Sequence, residues 1–190
     1  MAMYKSISSE LQERNTFAGV RLVLAADVFI WLSFLFAYVY LRALDTNNMW
    51  HPSGINASGG LGGATVGALV VAAAAAIMCG RHARAGAGAA APAALALAAV
   101  IVAAVLQAVQ TFNPGFSPTY GGGYGSVMIG FSAAMFVHLL GAAYWAETLF
   151  ATLARSGIDG ETAASAEAFG VVASFLTVVM AGAFILLYVV

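Results

Sequence analysis

The chain has 190 residues, of which 62% are hydrophobic and only 8% are charged, and its net charge is −1. A soluble domain carries about a quarter charged residues, so this composition, with a mean hydropathy of +0.92, predicts an integral membrane protein. The near-neutral charge argues against a basic surface for nucleic acid. The single cysteine, Cys79, excludes a disulfide within the chain.

Five segments of the chain are long and apolar enough to cross a membrane. A helix needs roughly 20 apolar residues to span about 30 Å of hydrocarbon. The segments that meet this requirement lie at about 20–43, 61–80, 90–111, 125–154 and 164–190. Backbone polar groups must be paired inside the bilayer, and the alternating pattern of barrel strands is absent. We therefore predict an all-α membrane domain over 20–190, a bundle of five transmembrane helices, preceded by a cytoplasmic or interfacial segment 1–19.

The basic residues predict how the bundle is oriented. Cytoplasmic connections carry an excess of lysine and arginine. Six basic residues fall on one side of the predicted bundle and one, Arg42, falls on the other. The six are Lys5, Arg14, Arg21, Arg81, Arg84 and Arg155. We expect the amino terminus in the cytoplasm and the carboxy terminus outside.

The first span carries an acidic residue on an aromatic face. Asp27, Trp31, Phe34 and Tyr38 follow each other at i, i+4, i+7 and i+11, so one side of a helix presents all four. Asp27 lies about two turns inside the span, too deep for a short side chain to reach water. A carboxyl group in that position is a functional-site hypothesis, and we expect it to contact protein rather than lipid.

The small residues of span two predict close helix packing. Small side chains let membrane helices approach each other closely. Five of them recur at every fourth position and are expected to line one face: Ala64, Ala68, Ala72, Ala76 and Gly80.

Span four carries two polar residues, His138 and Glu147. They are nine residues apart and therefore point to opposite sides of a helix. We expect one side to face the bundle and the other to face a partner protein or lipid headgroups. By depth, Glu147 is expected nearer the level of Asp27, and His138 nearer the midplane. For His138, a hydrogen-bonded packing role is an open alternative to a functional one.

The remaining polar residues of note are the glutamines at the outer end of span three and the three histidines. Gln107 and Gln110 lie near the outer end of span three and are expected to join helices by hydrogen bonds. The three histidines, at 51, 82 and 138, show no metal-ligand spacing. A haem or copper centre needs a set of imidazole or thiolate ligands. We therefore predict no catalytic residue, no metal site and no redox cofactor in this chain. The sequence is that expected of an accessory subunit.

Two blocks of sequence resemble a known family. RLVLAADVFIWLSFLFAYVYLRA resembles the acidic helix of subunit III of haem-copper oxidases, with Asp27 where that family usually has glutamate. YGSVMIGFSAAMFVHLLGAAYW resembles the family's YGS-led helix, in which His138 matches the second of two histidines and Met135 replaces the first. Five spans with a cytoplasmic amino terminus match the short bacterial form. The last span departs from the family's Trp-His-Phe-x-Asp pattern, since Ala173-Ser174-Phe175-Leu176-Thr177 stands there.

The resemblance implies a non-catalytic subunit of a cytochrome c oxidase in a bacterial-type inner membrane. Such a subunit packs against catalytic subunit I, alongside subunit II, within a respiratory complex or supercomplex, and the haem and copper belong to those partners. It holds phospholipids and supports proton uptake and sustained turnover. Asp27 would be its buried carboxyl, held by a histidine or a hydroxyl. The alternatives are a subunit III-like protein of a nitric oxide reductase system, a small transporter, and a structural membrane protein of another complex.

Overall fold

The computed structural model describes residues 2–46 and 49–189, with the side chains of 2–10 and of Pro118 outside the description. Five long helices account for most of the chain, and the described part contains no strand. They are α1 (Ala2–Ala43), α2 (Gly59–Arg84), α3 (Ala90–Phe112), α4 (Gly122–Arg155) and α5 (Gly160–Phe184). A 3₁₀ turn over Pro118–Tyr120 precedes α4, and a π-helical turn over Ile185–Val189 continues α5. All five helices are long and apolar enough to cross a membrane, so the prediction of an all-α bundle with five helices of membrane-spanning length is confirmed.

The two ends of the bundle differ in the connections that they carry. The amino-terminal side holds the short turns between α2 and α3 and between α4 and α5. The carboxy-terminal side holds the longer connections 44–58 and 113–121 and the end of α5. These two names are used below for the two sides of the bundle.

Helices α2 to α5 form the packed centre of the bundle, and α1 lies at its edge against α4 and α5. The closest approach is between α2 and α5. A Cβ atom on Gly80 would lie 3.0 Å from Glu167 Cα, and one on Gly170 would lie 3.4 Å from the backbone nitrogen of Ile77. The absence of side chains at these two glycines lets the two backbones touch, as expected for membrane helices.

The predicted small-residue face of α2 is correct over only half of its length. Ala72, Ala76 and Gly80 are buried, Ala68 is half-buried and Ala64 is exposed. The reason is geometric, because each step of four residues turns the row by about 40° and four steps turn it by about 160°. A row of strict four-residue spacing therefore winds away from α5. The buried face continues instead through Gly62, Thr65 and Leu69.

Helix α1 is longer than the predicted first span. It runs from Ala2 to Ala43 without a break, 42 residues, and so includes residues 2–19 of the segment that the sequence set apart. At 1.5 Å per residue this is about 63 Å, whereas a bilayer with its headgroups measures about 45 Å. One end of α1 therefore extends beyond the membrane.

An ionic contact ties the amino-terminal side together. Arg84, at the end of α2, pairs with Glu13 of α1 and with Glu167 of α5, the latter at 2.7 Å. The three side chains are each about two-fifths exposed, so the contact adds little to stability and serves chiefly to fix the position of α1.

The first turn of α4 is capped by the connection between α1 and α2. The backbone N–H of Gly123 donates to the carbonyl of Met49 at 3.3 Å, and that of Tyr124 donates to the carbonyl of Trp50 at 2.8 Å. Helices leave their first N–H groups without internal partners. Gly122 makes the approach possible, since its φ is +63° and a Cβ there would lie 2.3 Å from the Met49 carbonyl oxygen.

Candidate functional site

The aromatic face of α1 is the face that packs on the bundle, as the sequence predicted. Trp31 and Tyr38 are 8% and 6% exposed, and Asp27 and Phe34 are half-buried between them and the neighbouring helices. The flanking positions on α1 are mostly exposed. The prediction that Asp27 faces protein is confirmed, and its position along this face determines what it contacts.

Asp27 meets His138 across the contact between α1 and α4. The carboxylate Oδ1 lies 3.4 Å from the imidazole Nε2, and the side chains of Asp27 and His138 are 16% and 23% exposed. The resemblance implied a histidine or hydroxyl partner for Asp27, and the structure places His138 there. The two acid–base groups that the sequence singled out on separate spans therefore form one pair.

The other ring nitrogen determines how this pair can be protonated. His138 Nδ1 lies 2.7 Å from the carbonyl oxygen of Ala134, one turn earlier on α4. A carbonyl oxygen only accepts, so Nδ1 carries a hydrogen and donates it. A hydrogen bond between Nε2 and the carboxyl group then requires one more proton, either on the ring or on Asp27. One added proton is therefore sufficient to form a hydrogen bond between the two side chains.

The Trp31 ring covers the pair on one side, and a groove adjoins the pair on the other. The Trp31 ring lies 4.9 Å from the His138 ring, and its buried Nε1 has no hydrogen-bond partner among the described residues. A groove of about 520 Å³ between α1, α4 and α5 is lined by Asp27, His138 and Trp145. Trp145 Nε1 donates to Ser165 Oγ at 3.0 Å. The pair is therefore accessible from the groove and shielded by the Trp31 ring.

Glu147 lies apart from this pair. It is exposed on α4, whereas Asp27 and His138 are half-buried, so the prediction that Glu147 and His138 point to different sides is confirmed. The predicted level of Asp27 is wrong, because Asp27 lies beside His138 and not beside Glu147. His138 lies at the middle of α4, in agreement with its predicted position near the midplane. Glu147 is nine residues further along α4, about 13 Å away along the axis. The predicted depth of Asp27 assumes that the helix begins near residue 20, whereas α1 begins at Ala2.

A second polar cluster joins four helical segments near the carboxy-terminal side. Gln110 Nε2 donates to Thr65 Oγ1 at 3.0 Å, and the Tyr188 hydroxyl donates to Gln110 Oε1. The Tyr124 hydroxyl donates to the carbonyl of Leu187 at 2.7 Å. The sequence predicted that Gln110 joins helices, which is confirmed. Its partners Thr65 and Tyr188 were missed, since no local pattern marks a contact between distant positions.

Gln107, one turn earlier on α3, joins that helix to α4. Its Nε2 donates to the carbonyl of Ser132 at 3.3 Å. Its Oε1 atom and the Ser132 hydroxyl are buried without a hydrogen-bond partner among the described residues. Buried polar atoms in this state are commonly satisfied by a bound water molecule.

The last two findings concern metal ligands and the similarity of the chain to known proteins. Within the described residues, no three His, Cys, Asp or Glu side chains lie close enough together to hold a metal ion. No protein-family model matches this chain, and no curated protein matches it either. The functional assignment therefore depends on the residues of the site and on the resemblance of two helices.

Proposed function

We propose that this chain is a non-catalytic accessory subunit, similar to subunit III, of a respiratory haem-copper oxidase. It would stabilise the catalytic subunit, hold lipids beside it and support proton uptake while electrons pass from cytochrome c to oxygen. The haem and copper would reside in subunits I and II, in a bacterial-type inner membrane with the amino terminus of this chain in the cytoplasm. The observation that carries the proposal is the Asp27–His138 pair, at 3.4 Å.

The pair supports the proposal because of where its two members come from. Asp27 lies on α1 and His138 on α4, and these are the two helices whose sequences resemble subunit III. Ionisable residues inside a membrane mark proton paths and ligand sites more often than they serve packing alone. A carboxyl–imidazole pair that one added proton joins by a hydrogen bond, beside an open groove, suits a group that assists proton uptake by a neighbouring subunit.

Two apolar surfaces of α1, one on each side of the helix, support a role in holding lipids and contacting partners. An apolar groove of about 270 Å³ runs between α1, α4 and α5 and is named the apolar groove below. Its aromatic and aliphatic walls include Trp31, Phe34, Leu35, Phe131, Phe175 and Val179. On the opposite face of α1, Phe29 and Phe36 are 71% and 68% exposed. A surface of this kind is complementary to acyl chains or to an apolar helix of another subunit.

Purification of the tagged chain in mild detergent tests the assignment. We expect haem and copper to co-migrate with it in fixed proportion and the preparation to reduce oxygen with cytochrome c as donor. A preparation that reduces nitric oxide instead would favour the nitric oxide reductase alternative. Colourless material, with or without solute transport in vesicles, would overturn the oxidase assignment.

A pair of carboxyl substitutions tests the role of the site within the assembled enzyme. Asp27→Asn removes the acid of the pair, and Glu161→Gln, at an exposed position in the first turn of α5, is the matched control. We expect Asp27→Asn to shorten the time for which the oxidase sustains turnover, and the control to behave like the wild type. Identical turnover lifetimes and lipid contents for both variants would remove the special role of Asp27.

A further inference from the structure

A polar chamber of about 510 Å³ opens at the carboxy-terminal side of the bundle. Its walls come from the last turns of α1, from residues 45, 50, 51, 56 and 57 of the connection to α2, from the start of α4 and from the π-helical turn that continues α5. The polar side chains that line it are Arg42, Asp45, His51, Asn56, Tyr124 and Tyr188. Neither the Asp27–His138 pair nor the proposed proton role uses any of these residues.

The polar chamber is continuous with the apolar groove. Tyr38, Leu186 and Leu187 line both of them. The combined depression is apolar along the helices and polar at the membrane surface, which is the distribution of polarity along a phospholipid. A ligand that fills both parts must therefore have an apolar chain and a polar head.

The charges in the polar chamber specify the head. Arg42 Nη1 donates to the Tyr38 hydroxyl at 2.7 Å, and the guanidinium has further N–H groups for a phosphate. Asp45 Oδ1 accepts the backbone N–H of Trp50 at 2.9 Å, which orients the carboxylate and leaves Oδ2 available. Within the described part of the chain, the ion pairs involve Arg84 and His138, and Arg42 and Asp45 are not joined to each other. One cation and one anion, both exposed and each held by a hydrogen bond, thus line the same chamber.

We propose that the polar chamber binds the phosphoethanolamine head of a membrane phospholipid, with its phosphate on Arg42, its ammonium on Asp45 and one acyl chain in the apolar groove. A phosphoglycerol head has no cation for Asp45. A phosphocholine head has the cation but no N–H group to donate. This inference rests on the lipid-holding part of the proposed function and names the headgroup, the leaflet side and the residues.

Lipid retention by the purified full chain tests this inference. The chain is placed in vesicles that contain equal amounts of ethanolamine, choline and glycerol phospholipids with the same acyl chains. It is then extracted in mild detergent, and the lipids that remain bound are measured by native mass spectrometry. We expect the ethanolamine lipid to be enriched about tenfold over the other two, the effect of one charge-assisted hydrogen bond.

Two substitutions separate the contributions of the two charges. Asp45→Asn keeps an acceptor for the Trp50 N–H and should abolish the preference for ethanolamine over glycerol lipid. Arg42→Gln should lower the retention of all three lipids. The matched controls Glu161→Gln and Arg14→Gln change exposed charges at the amino-terminal side of the bundle and should retain the wild-type pattern. If Arg42→Gln does not fold, the Asp45→Asn comparison decides alone.

Three outcomes would overturn the inference. The first is equal retention of the three lipids by the wild type, and the second is an unchanged lipid preference in Asp45→Asn. The third is displacement of the bound lipid by free phosphoethanolamine at equal concentration, which would show that the apolar groove contributes nothing to binding. The test uses this chain without oxidase subunits. Its failure is therefore distinguishable from failure of the proposed function, which is decided by co-purification with haem and copper.

Discussion

The Asp27–His138 pair should couple α1 to α4 by a measurable free energy. The test is a double-mutant cycle with Asp27→Asn, His138→Gln and the double variant. Asp27→Asn replaces the carboxyl group by an amide that does not ionise, and His138→Gln does the same for the imidazole. If the pair contributes as its geometry indicates, the two single losses of unfolding free energy will sum to more than the loss in the double variant. The excess is the coupling energy.

The expected size of the coupling follows from the distance and the surroundings. Two opposite unit charges 3.4 Å apart attract by about 1 kcal/mol in water and by about 5 kcal/mol at an effective dielectric constant of about 20. Desolvation of both groups opposes this attraction. Polar pairs between membrane helices have couplings near 0.6 kcal/mol on average, with a maximum of about 1.7. The side chains are about one-fifth exposed, and we expect about 1 to 1.5 kcal/mol, near that maximum.

The measurement is reversible unfolding of the purified chain in mixed detergent micelles, followed by far-ultraviolet circular dichroism. The matched control cycle combines Glu147→Gln with His138→Gln, and its effects should add within about 0.5 kcal/mol because the two groups share no partner. A coupling below about 0.3 kcal/mol for Asp27 and His138, with normal folding of all variants, would refute the reasoning. The half-buried acid would then be tolerated for another reason.

Three further predictions concern the backbone contacts and a helix cap. Gly122→Ala places a Cβ 2.3 Å from the Met49 carbonyl oxygen at a φ of +63°, so we expect a loss of about 2 to 4 kcal/mol, measured by the same unfolding assay. Gly80→Leu should destabilise by about 1 to 3 kcal/mol because a Cβ there already meets the backbone of α5 at 3.0 Å, whereas Gly67→Ala, with open space around it, should not; equal effects would contradict the close packing. Asp159 caps α5, and the hydrogen bond from a backbone N–H lowers the pKa of its carboxyl group below 3.8. Its contribution is therefore complete above that value and is lost as the pH falls through the folded-state pKa, so Asp159→Ala should lower stability by about 1 kcal/mol at pH 7 and by less in acid, as a pH series of unfolding curves will show.

The five helices and the buried face of α1 could be predicted from the sequence because both depend on local periodicity. Long apolar runs determine the spans, and every one of the five coincides with a helix of suitable length. The positions of Asp27, Trp31, Phe34 and Tyr38 alternate three and four residues apart, which follows the turn of a helix closely. A strict spacing of four does not follow it, and this is why Ala64 was wrongly assigned to the packed face of α2.

The contacts that make the site could not be predicted in the same way. The partner of Asp27 lies 111 positions later, and Tyr188 lies 78 positions after Gln110. These distances in sequence are bridged by the packing of α1 and α5 against the bundle, which no single segment encodes. For the first pair, the resemblance implied a histidine or a hydroxyl as the partner of Asp27. For the second, no signal in the sequence pointed to Tyr188 as the partner of Gln110.

The carbonyl groups of Met49 and Trp50 that complete the first turn of α4 also bear on how the protein is made. About 70 residues separate this connection from the helix that it caps, and α2 and α3 are synthesised between them. During synthesis the carbonyl groups of Met49 and Trp50 therefore lack these partners until α4 has been made. The capped turn should be among the last parts of the fold to become protected, so in a hydrogen-exchange experiment on the nascent chain the N–H groups of Gly123 and Tyr124 should gain protection only after α4 has met the connection.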